Sequence, residues 1–160
     1  MIKEGNIYTY FVDPKERIIQ HRQISQDDWY EEMRSTIGCR LIETVKVLDA
    51  PETRWYGDEE GLLKDEEERY FFKFSTVQNL STGKWVINNT RMMQKYKEAW
   101  SEPMYWEFCG PSFFTGCLHT EEEETVDTVG LHLWQFAQCI EFMHEGYQSD
   151  PIVEYMINHT

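Results

Sequence analysis

Short stretches rich in β-branched and aromatic residues recur along the chain and predict β-strands. Residues 7–12 are β-branched and aromatic, and residues 17–24 repeat this character after the turn at Asp13-Pro14. Because a proline turn between two such stretches favours antiparallel pairing, the two segments predict a β-hairpin. Further strands are predicted at 41–48, 70–77, 84–87, 104–109 and 113–118.

A helical spacing of apolar residues follows the predicted hairpin. Trp29, Met33 and Ile37 recur every four residues, which places them on one face of a helix. Ser25 is a candidate N-cap, and Gly38 stands where the glycine that ends a helix is expected. The pattern therefore predicts one amphipathic helix that ends at Gly38.

Two more helices are predicted later in the chain, after an acidic connector at 49–68. One helix is short, covers 90–100 and ends before Pro103, since proline cannot continue it. The other covers 129–145 with apolar residues on several sides. The predicted class is α+β, a mostly antiparallel sheet of about five to seven strands with two or three helices packed on it.

The length and composition suit one domain. The chain has 160 residues, of which 41% are hydrophobic, enough for one packed core. We expect a single domain over 1–160, with its core over 6–130 and a C-terminal helical extension over 128–160. No run of about 18 apolar residues occurs, and the N-terminus lacks the apolar run of a signal peptide, so neither a membrane span nor secretion is expected.

The charge of the chain is acidic and unevenly distributed. The formal net charge is −14, and residues 101–160 contain 11 of the 29 acidic residues but none of the 15 lysines and arginines. Such a surface repels phosphate backbones and anionic lipids over a Debye length of about 8 Å. Direct binding to nucleic acid or membrane is therefore not expected, whereas a basic surface on another protein would be attracted. The predicted partner-binding residues are Glu121, Glu122, Glu123, Glu124 and Asp127.

The sequence contains no motif that indicates a catalytic site. A nucleophile elbow, a phosphate loop and a dinucleotide-binding glycine pattern are all absent. The cysteines and histidines match no zinc-site spacing, so neither a metal nor a cofactor is expected. An acid–base set of His132 with Glu141 or His144 would suit a hydrolase. This enzyme interpretation is an alternative and not the favoured one.

The aromatic residues suggest a different alternative, a small-molecule binder that sequesters a nucleotide. Aromatic rings can stack on a nucleobase, and a basic residue is needed for the phosphates. The candidate ligand-binding residues are Trp55, Tyr56, Trp106 and Arg54.

Several short segments occur together in an order that is similar to a known group of proteins. They are YFVDP at 10–14, IG at 37–38, DEEGLLK at 58–64, and CGP at 109–111 followed by Gly116. The chain resembles, over roughly residues 8–130, an uncharacterised family of small α+β proteins encoded by phages, plasmids and bacteria. The family has no established activity, and the likeness does not extend to 88–103 or beyond Leu131.

The resemblance implies the cytoplasm of a bacterial host and a mobile-element setting, in which small acidic proteins block host machinery. The function predicted on this basis is non-enzymatic. The protein would inhibit a host defence protein by occupying its basic surface, in the manner of a nucleic-acid mimic. A homo-oligomer is a further possibility, since the aromatic segment 131–144 could pack within one chain or across a two-fold axis.

Overall fold

A computed structural model of the chain describes residues 2–119, 126–133, 135–144, 147–148 and 155–158. The strands form two mostly antiparallel sheets, and the α-helices of the described part are α1 (Trp29–Ile37) and α2 (Thr90–Lys95). The mostly antiparallel α+β prediction is confirmed at this level. It is wrong in detail, because strands are more numerous and helices fewer than predicted. No helix in the described part of the chain is long and apolar enough to span a membrane.

The strands have the following bounds. They are β1 (Asn6–Asp13), β2 (Ile18–Ser25), β3 (Ile42–Asp49), β4 (Glu52–Asp58), β5 (Phe71–Gln78), β6 (Trp85–Ile87), β7 (Met104–Cys109), β8 (Ser112–His119), β9 (Val126–Val129), β10 (Ile140–His144), β11 (Tyr147–Gln148) and β12 (Tyr155–Asn158). Short 3-10 helices occupy Gly61–Leu63, Glu66–Glu68, Lys97–Ala99 and Phe136–Cys139.

The larger sheet has seven strands in the order β12-β2-β1-β8-β4-β3, with β9 also paired to β8. The predicted hairpin is its β1–β2 pair, in register from Asn6 opposite Ser25 to Asp13 opposite Ile18. Only β12 joins this sheet in parallel among the described strands. The other end of the sheet is β3, whose one partner among the strands that the structure describes is β4.

The smaller sheet has five strands in the order β11-β10-β5-β6, with β7 also paired to β5. β10 and β6 pair with successive halves of β5, while β7 pairs along residues 71–76 of the same strand. β7 must therefore occupy the opposite edge of β5, where it forms the end of the sheet.

The seven-stranded sheet is the middle of three layers, because its strands bury side chains on both faces. From β1, Tyr10 and Val12 join the core against the five-stranded sheet. Ile7 and Phe11 from the same strand join a second core against α1. Alternation along a strand sends neighbouring residues to opposite faces, so one strand serves both cores.

Helix α1 ends where the sequence predicts. Gly38 adopts the left-handed conformation at φ 76°, and its N–H donates to the carbonyl of Arg34 at 2.9 Å. The start differs from the prediction, because the helix begins at Trp29 and Asp28 stands at the cap position. Ser25 instead accepts a hydrogen bond from the backbone N–H of Asp28 at 3.2 Å, in the turn before the helix.

The predicted helix at 129–145 is wrong over the described residues, and with it the helical character of the C-terminal extension. This segment forms part of β9, the 3-10 helix Phe136–Cys139 and strand β10. Ile140 lies opposite Phe74 of β5, and Phe142 lies opposite Phe72. The partner strand decides the outcome here, because a short apolar run fits a buried strand as well as a helix.

The acidic connector predicted at 49–68 is wrong over Glu52–Asp58, which forms β4 inside the seven-stranded sheet. Its adjacent residues Trp55 and Tyr56 are buried on opposite faces. A strand that is covered on both faces lacks the alternation by which strands are found. The helix predicted at 90–100 is also shorter, since α2 ends at Lys95.

Candidate functional site

A cleft separates the end strands of the two sheets, β3 and β7. The two strands belong to different sheets, and no hydrogen-bonded ladder joins them among the described residues. Two hollows of about 370 and 360 Å³ lie between them and share Trp106 as a common wall. We call this space the edge cleft. Its acidic half contains Glu43 and Trp55, and its apolar half contains Val47 and Met104.

Three parallel aromatic rings form one wall of the acidic half. Phe108 stacks on Trp55 with ring centroids 4.3 Å apart and planes within 10°. Trp106 continues the stack at 5.9 Å from Phe108 and within 4°. Trp55 is only 5% exposed, whereas Trp106 is 37% exposed at the mouth of the cleft. The stack thus runs from the core to the surface and presents a tryptophan to any bound group.

Gly57 makes room for the innermost ring. A Cβ at this position would overlap atom Cζ2 of the Trp55 indole, which lies against the glycine backbone. The indole nitrogen of Trp55 is buried and has no hydrogen-bond partner among the described residues. Trp55 therefore contributes a flat apolar surface, and its position depends on the missing side chain of Gly57.

Carboxylates cluster beside the aromatic wall. Glu43 is exposed, but partial desolvation in the cleft raises the pKa of its carboxyl, and the negative charges of Glu59 and Asp58 raise it further. Lys64 approaches Asp58 to 3.7 Å. The raised pKa of Glu43 means that its ionised form is disfavoured in the folded chain. A cation bound nearby would stabilise that ionised form.

The lining of the edge cleft as a whole is acidic. Five acidic residues and one lysine line its two hollows. The lysine is Lys46, and its ammonium group lies 3.0 Å from a carboxylate oxygen of Asp49. The acidic residues are Glu43, Asp49, Asp58, Glu59 and Glu107.

The apolar half of the cleft lies between β3, β5, β6 and β7. Val47, Thr76, Trp85, Met104 and Trp106 line it. The backbone N–H of Trp85 donates to a carboxylate oxygen of Asp49 at 2.9 Å, which ties β6 to the end of β3. This half can receive apolar side chains next to the acidic half.

The structure separates the residues predicted from the sequence as a nucleotide site. Trp55 and Trp106 line the edge cleft together. Tyr56 lies on the opposite face of the sheet, where its ring is 5.2 Å from that of Trp29. Arg54 shares the side of Tyr56 by strand alternation and lies 3.9 Å from Glu52. The four residues do not form one site.

The predicted partner-binding residues are mostly outside the described part of the chain. Glu121, Glu122, Glu123 and Glu124 fall within the gap at 120–125. Asp127 is described and is exposed on β9, opposite Leu118. Their role in binding a partner stays a prediction.

The acid–base residues of the enzyme alternative are His132, Glu141 and His144. The described part of the structure does not place them together as a catalytic site. His132 packs against His21, with ring centroids 4.7 Å apart. Glu141 lies on β10 opposite Lys73, and the side chain of His144 is outside the description. No group of three or more metal-ligating side chains occurs among the described residues.

None of the five acidic residues that line the cleft belongs to the site predicted from the sequence. Glu43 and Glu107 are single acids within predicted strands, and Asp58 and Glu59 lie in what was predicted as a connector. The signal that points to this place is the tryptophan pair Trp55 and Trp106, which the sequence did single out. No protein-family model, curated protein or solved structure matches the chain.

Proposed function

We propose that this protein is a non-enzymatic interaction protein that binds a basic segment of another protein in the edge cleft. The observation that carries the proposal is the lining of the cleft, where the acidic side chains of Glu43, Asp49, Asp58 and Glu59 outnumber the one lysine, Lys46, beside the aromatic stack. A lysine or arginine side chain can place its charge between carboxylates while its stem lies on an aromatic ring.

The net charge of −14 supports the same partner chemistry. A large negative field attracts basic proteins before contact and repels nucleic acids and other acidic proteins. By the family resemblance, the partner is a host defence protein, and the acidic protein acts by covering its basic surface. The run Glu121–Glu124 adds to this field wherever it lies.

A nucleotide is the weaker candidate for the same cleft. The stacked rings suit a nucleobase, but the surrounding carboxylates repel phosphate groups. The predicted phosphate-binding residue Arg54 faces away from Trp55 by strand alternation. The charges of the cleft therefore favour a cation.

A direct test uses three labelled peptides of about eight residues, in which valine alternates with lysine, glutamine or glutamate. Fluorescence anisotropy measures their binding to the purified protein. We expect binding of the lysine peptide alone, with an affinity that falls as sodium chloride rises from about 50 to 300 mM, because salt screens exposed charges.

The matched variants are Trp106→Ala in the cleft and Tyr30→Ala on α1, whose side chains are 37% and 38% exposed. We expect Trp106→Ala to weaken binding of the lysine peptide about tenfold, and Tyr30→Ala to leave it unchanged. Equal binding of the three peptides, or binding that ignores salt, would show that the proposal is wrong.

A further inference from the structure

Among the described strands, only β5 pairs with β7, so the outer edge of β7 presents backbone hydrogen-bonding groups to the edge cleft. Gly110 donates its N–H to the carbonyl of Tyr70 at 2.8 Å, in register with the β5–β7 ladder. Directly opposed residues of an antiparallel pair exchange hydrogen bonds at every second position. Met104, Trp106 and Phe108 therefore bond to β5, while the backbone groups of Tyr105 and Glu107 point to the outer edge.

The lining of the cleft agrees with this alternation. Tyr105 and Glu107 both line it, although strand alternation sends their side chains away from the face that holds Trp106. Their contribution is thus mainly the outward N–H and carbonyl groups of the backbone. These groups are a template on which another strand can pair.

The opposite edge, β3, carries the features by which proteins discourage strand pairing. Lys46 stands near its middle, and a register irregularity lies between Lys46 and Leu48. A lysine in an edge strand and a bulge both disfavour an added strand. β7 has neither lysine nor proline within Met104–Cys109, and Met104 and Tyr105 are 56% and 57% exposed.

We infer that the basic partner segment binds as an extended strand that pairs with the outer edge of β7. This inference rests on the proposed function and adds the mode of binding to it. Side chains of a strand alternate between its two faces, so every second residue of the added strand would face Trp106 and the carboxylates of Glu43 and Glu59. The expected partner sequence has lysine or arginine at alternate positions.

Charge selects a basic segment rather than a second copy of this chain. In a second copy of the chain, the strand best placed to pair at this edge is β7 of that copy. It carries Glu107 and no basic residue. Pairing two such edges would bring two acidic clefts together at a cost, since like charges repel across an interface. A basic strand neutralises the cleft as it adds to the sheet.

Hydrogen exchange of the backbone amides tests the inference on the whole chain, with the lysine–valine peptide as the probe. In the free protein, we expect fast exchange at Tyr105 and Glu107 and slow exchange at Trp106 and Phe108. At saturating peptide, exchange at Tyr105 and Glu107 should slow about tenfold or more, because their N–H groups become hydrogen bonded.

The outcomes separate the binding mode from the proposed function. If the peptide binds while Tyr105 and Glu107 exchange as before, strand addition to β7 is wrong and the cleft still binds a basic segment. Slowing at Thr44 and Lys46 instead would move the added strand to β3 and overturn the inference. Failure of the lysine peptide to bind, measured separately by anisotropy, overturns the proposed function itself.

Discussion

Trp55 and Gly57 show how two residues on one strand set the shape of the cleft wall. Trp55 lies flat because Gly57 has no side chain in the way. The flat indole in turn supports Phe108, on which Trp106 stacks. A glycine within a strand usually weakens it, and one common reason to keep it is the close approach of another group. Here that group is the indole that carries the aromatic wall.

Glu43 offers a test of whether charge in the cleft opposes folding. Partial desolvation and the negative charges of Glu59 and Asp58 raise its pKa above the usual 4.5 in the folded chain. A raised carboxyl pKa favours the protonated form, so the folded state loses stability as pH rises through the shifted pKa. Glu43→Gln should therefore raise the melting temperature at about pH 8 by about 1 °C and weaken binding of the lysine peptide.

The pH dependence makes this prediction specific. The difference in melting temperature between Glu43→Gln and the natural chain should disappear below the unfolded glutamate pKa, where Glu43 is protonated in both states. Glu16→Gln, in the exposed turn between β1 and β2, removes the same charge as a control. A melting temperature for Glu43→Gln that is lower at high pH, or a shift equal to that of Glu16→Gln, would contradict the prediction.

At the scale of elements, most of the described residues within 131–142 contribute to the core. Phe136 is fully buried, and its ring stacks on Tyr10 at 4.2 Å and meets Phe114 at 5.1 Å. Tyr10 binds the same segment, since its hydroxyl accepts from the N–H of Leu133 at 3.0 Å and donates to the carbonyl of Leu133 at 3.1 Å. This 3-10 helix and its loop close the space between the two sheets.

Phe136→Ala should consequently lower the free energy of unfolding by about 3 to 5 kcal/mol, the usual cost of a large cavity in a core. Urea denaturation followed by tryptophan fluorescence measures the change. Gln138→Ala in the same 3-10 helix is the control, because Gln138 is exposed and should change stability by less than about 0.5 kcal/mol. Similar losses in both variants would mean that the segment is not a core element.

The elements that the sequence predicts well are those with a local signal. Strands β1 and β2 are rich in β-branched and aromatic residues and flank the turn at Asp13-Pro14, and α1 has an apolar residue at every fourth position and a terminal glycine. The elements it misses depend on distant partners. β4 is covered on both faces and so looks irregular, while β10 is a strand because β5 lies beside it. Local pattern cannot distinguish a buried strand from a buried helix when the apolar run is short.

At the scale of the whole molecule, the candidate site shows the same division. The sequence predicts acidic recognition chemistry and singles out Trp55 and Trp106. It does not predict that Glu43, Asp58–Glu59 and Glu107, from three separate parts of the chain, line one cleft with them. That arrangement follows from the packing of two sheets whose end strands, β3 and β7, border the same cleft. The topology of the sheets therefore determines which residues lie together in the site, and the amino-acid composition determines that the site is acidic.

The net charge also predicts opposite effects of salt on folding and on binding. The formal net charge of −14 means that the acidic side chains of the folded chain repel one another. This repulsion weakens as the Debye length falls from about 30 Å at 0.01 M salt to about 8 Å at 0.15 M. The ion pairs Arg34–Glu31 and Arg40–Glu60 are exposed at both side chains, and exposed pairs contribute little that salt could remove.

Sodium chloride should therefore raise the melting temperature of the free protein by about 2 to 4 °C over that range, which corresponds to about 1 kcal/mol of relieved repulsion. The same salt should weaken binding of the lysine peptide. Thermal denaturation with and without peptide measures both effects, and sucrose serves as an uncharged additive that should leave binding unchanged. A melting temperature that falls with salt would show that attractive ion pairs outweigh the repulsion. In that case the acidic residues would already be paired with basic residues of the same chain. They would then offer no free negative charge to a basic partner.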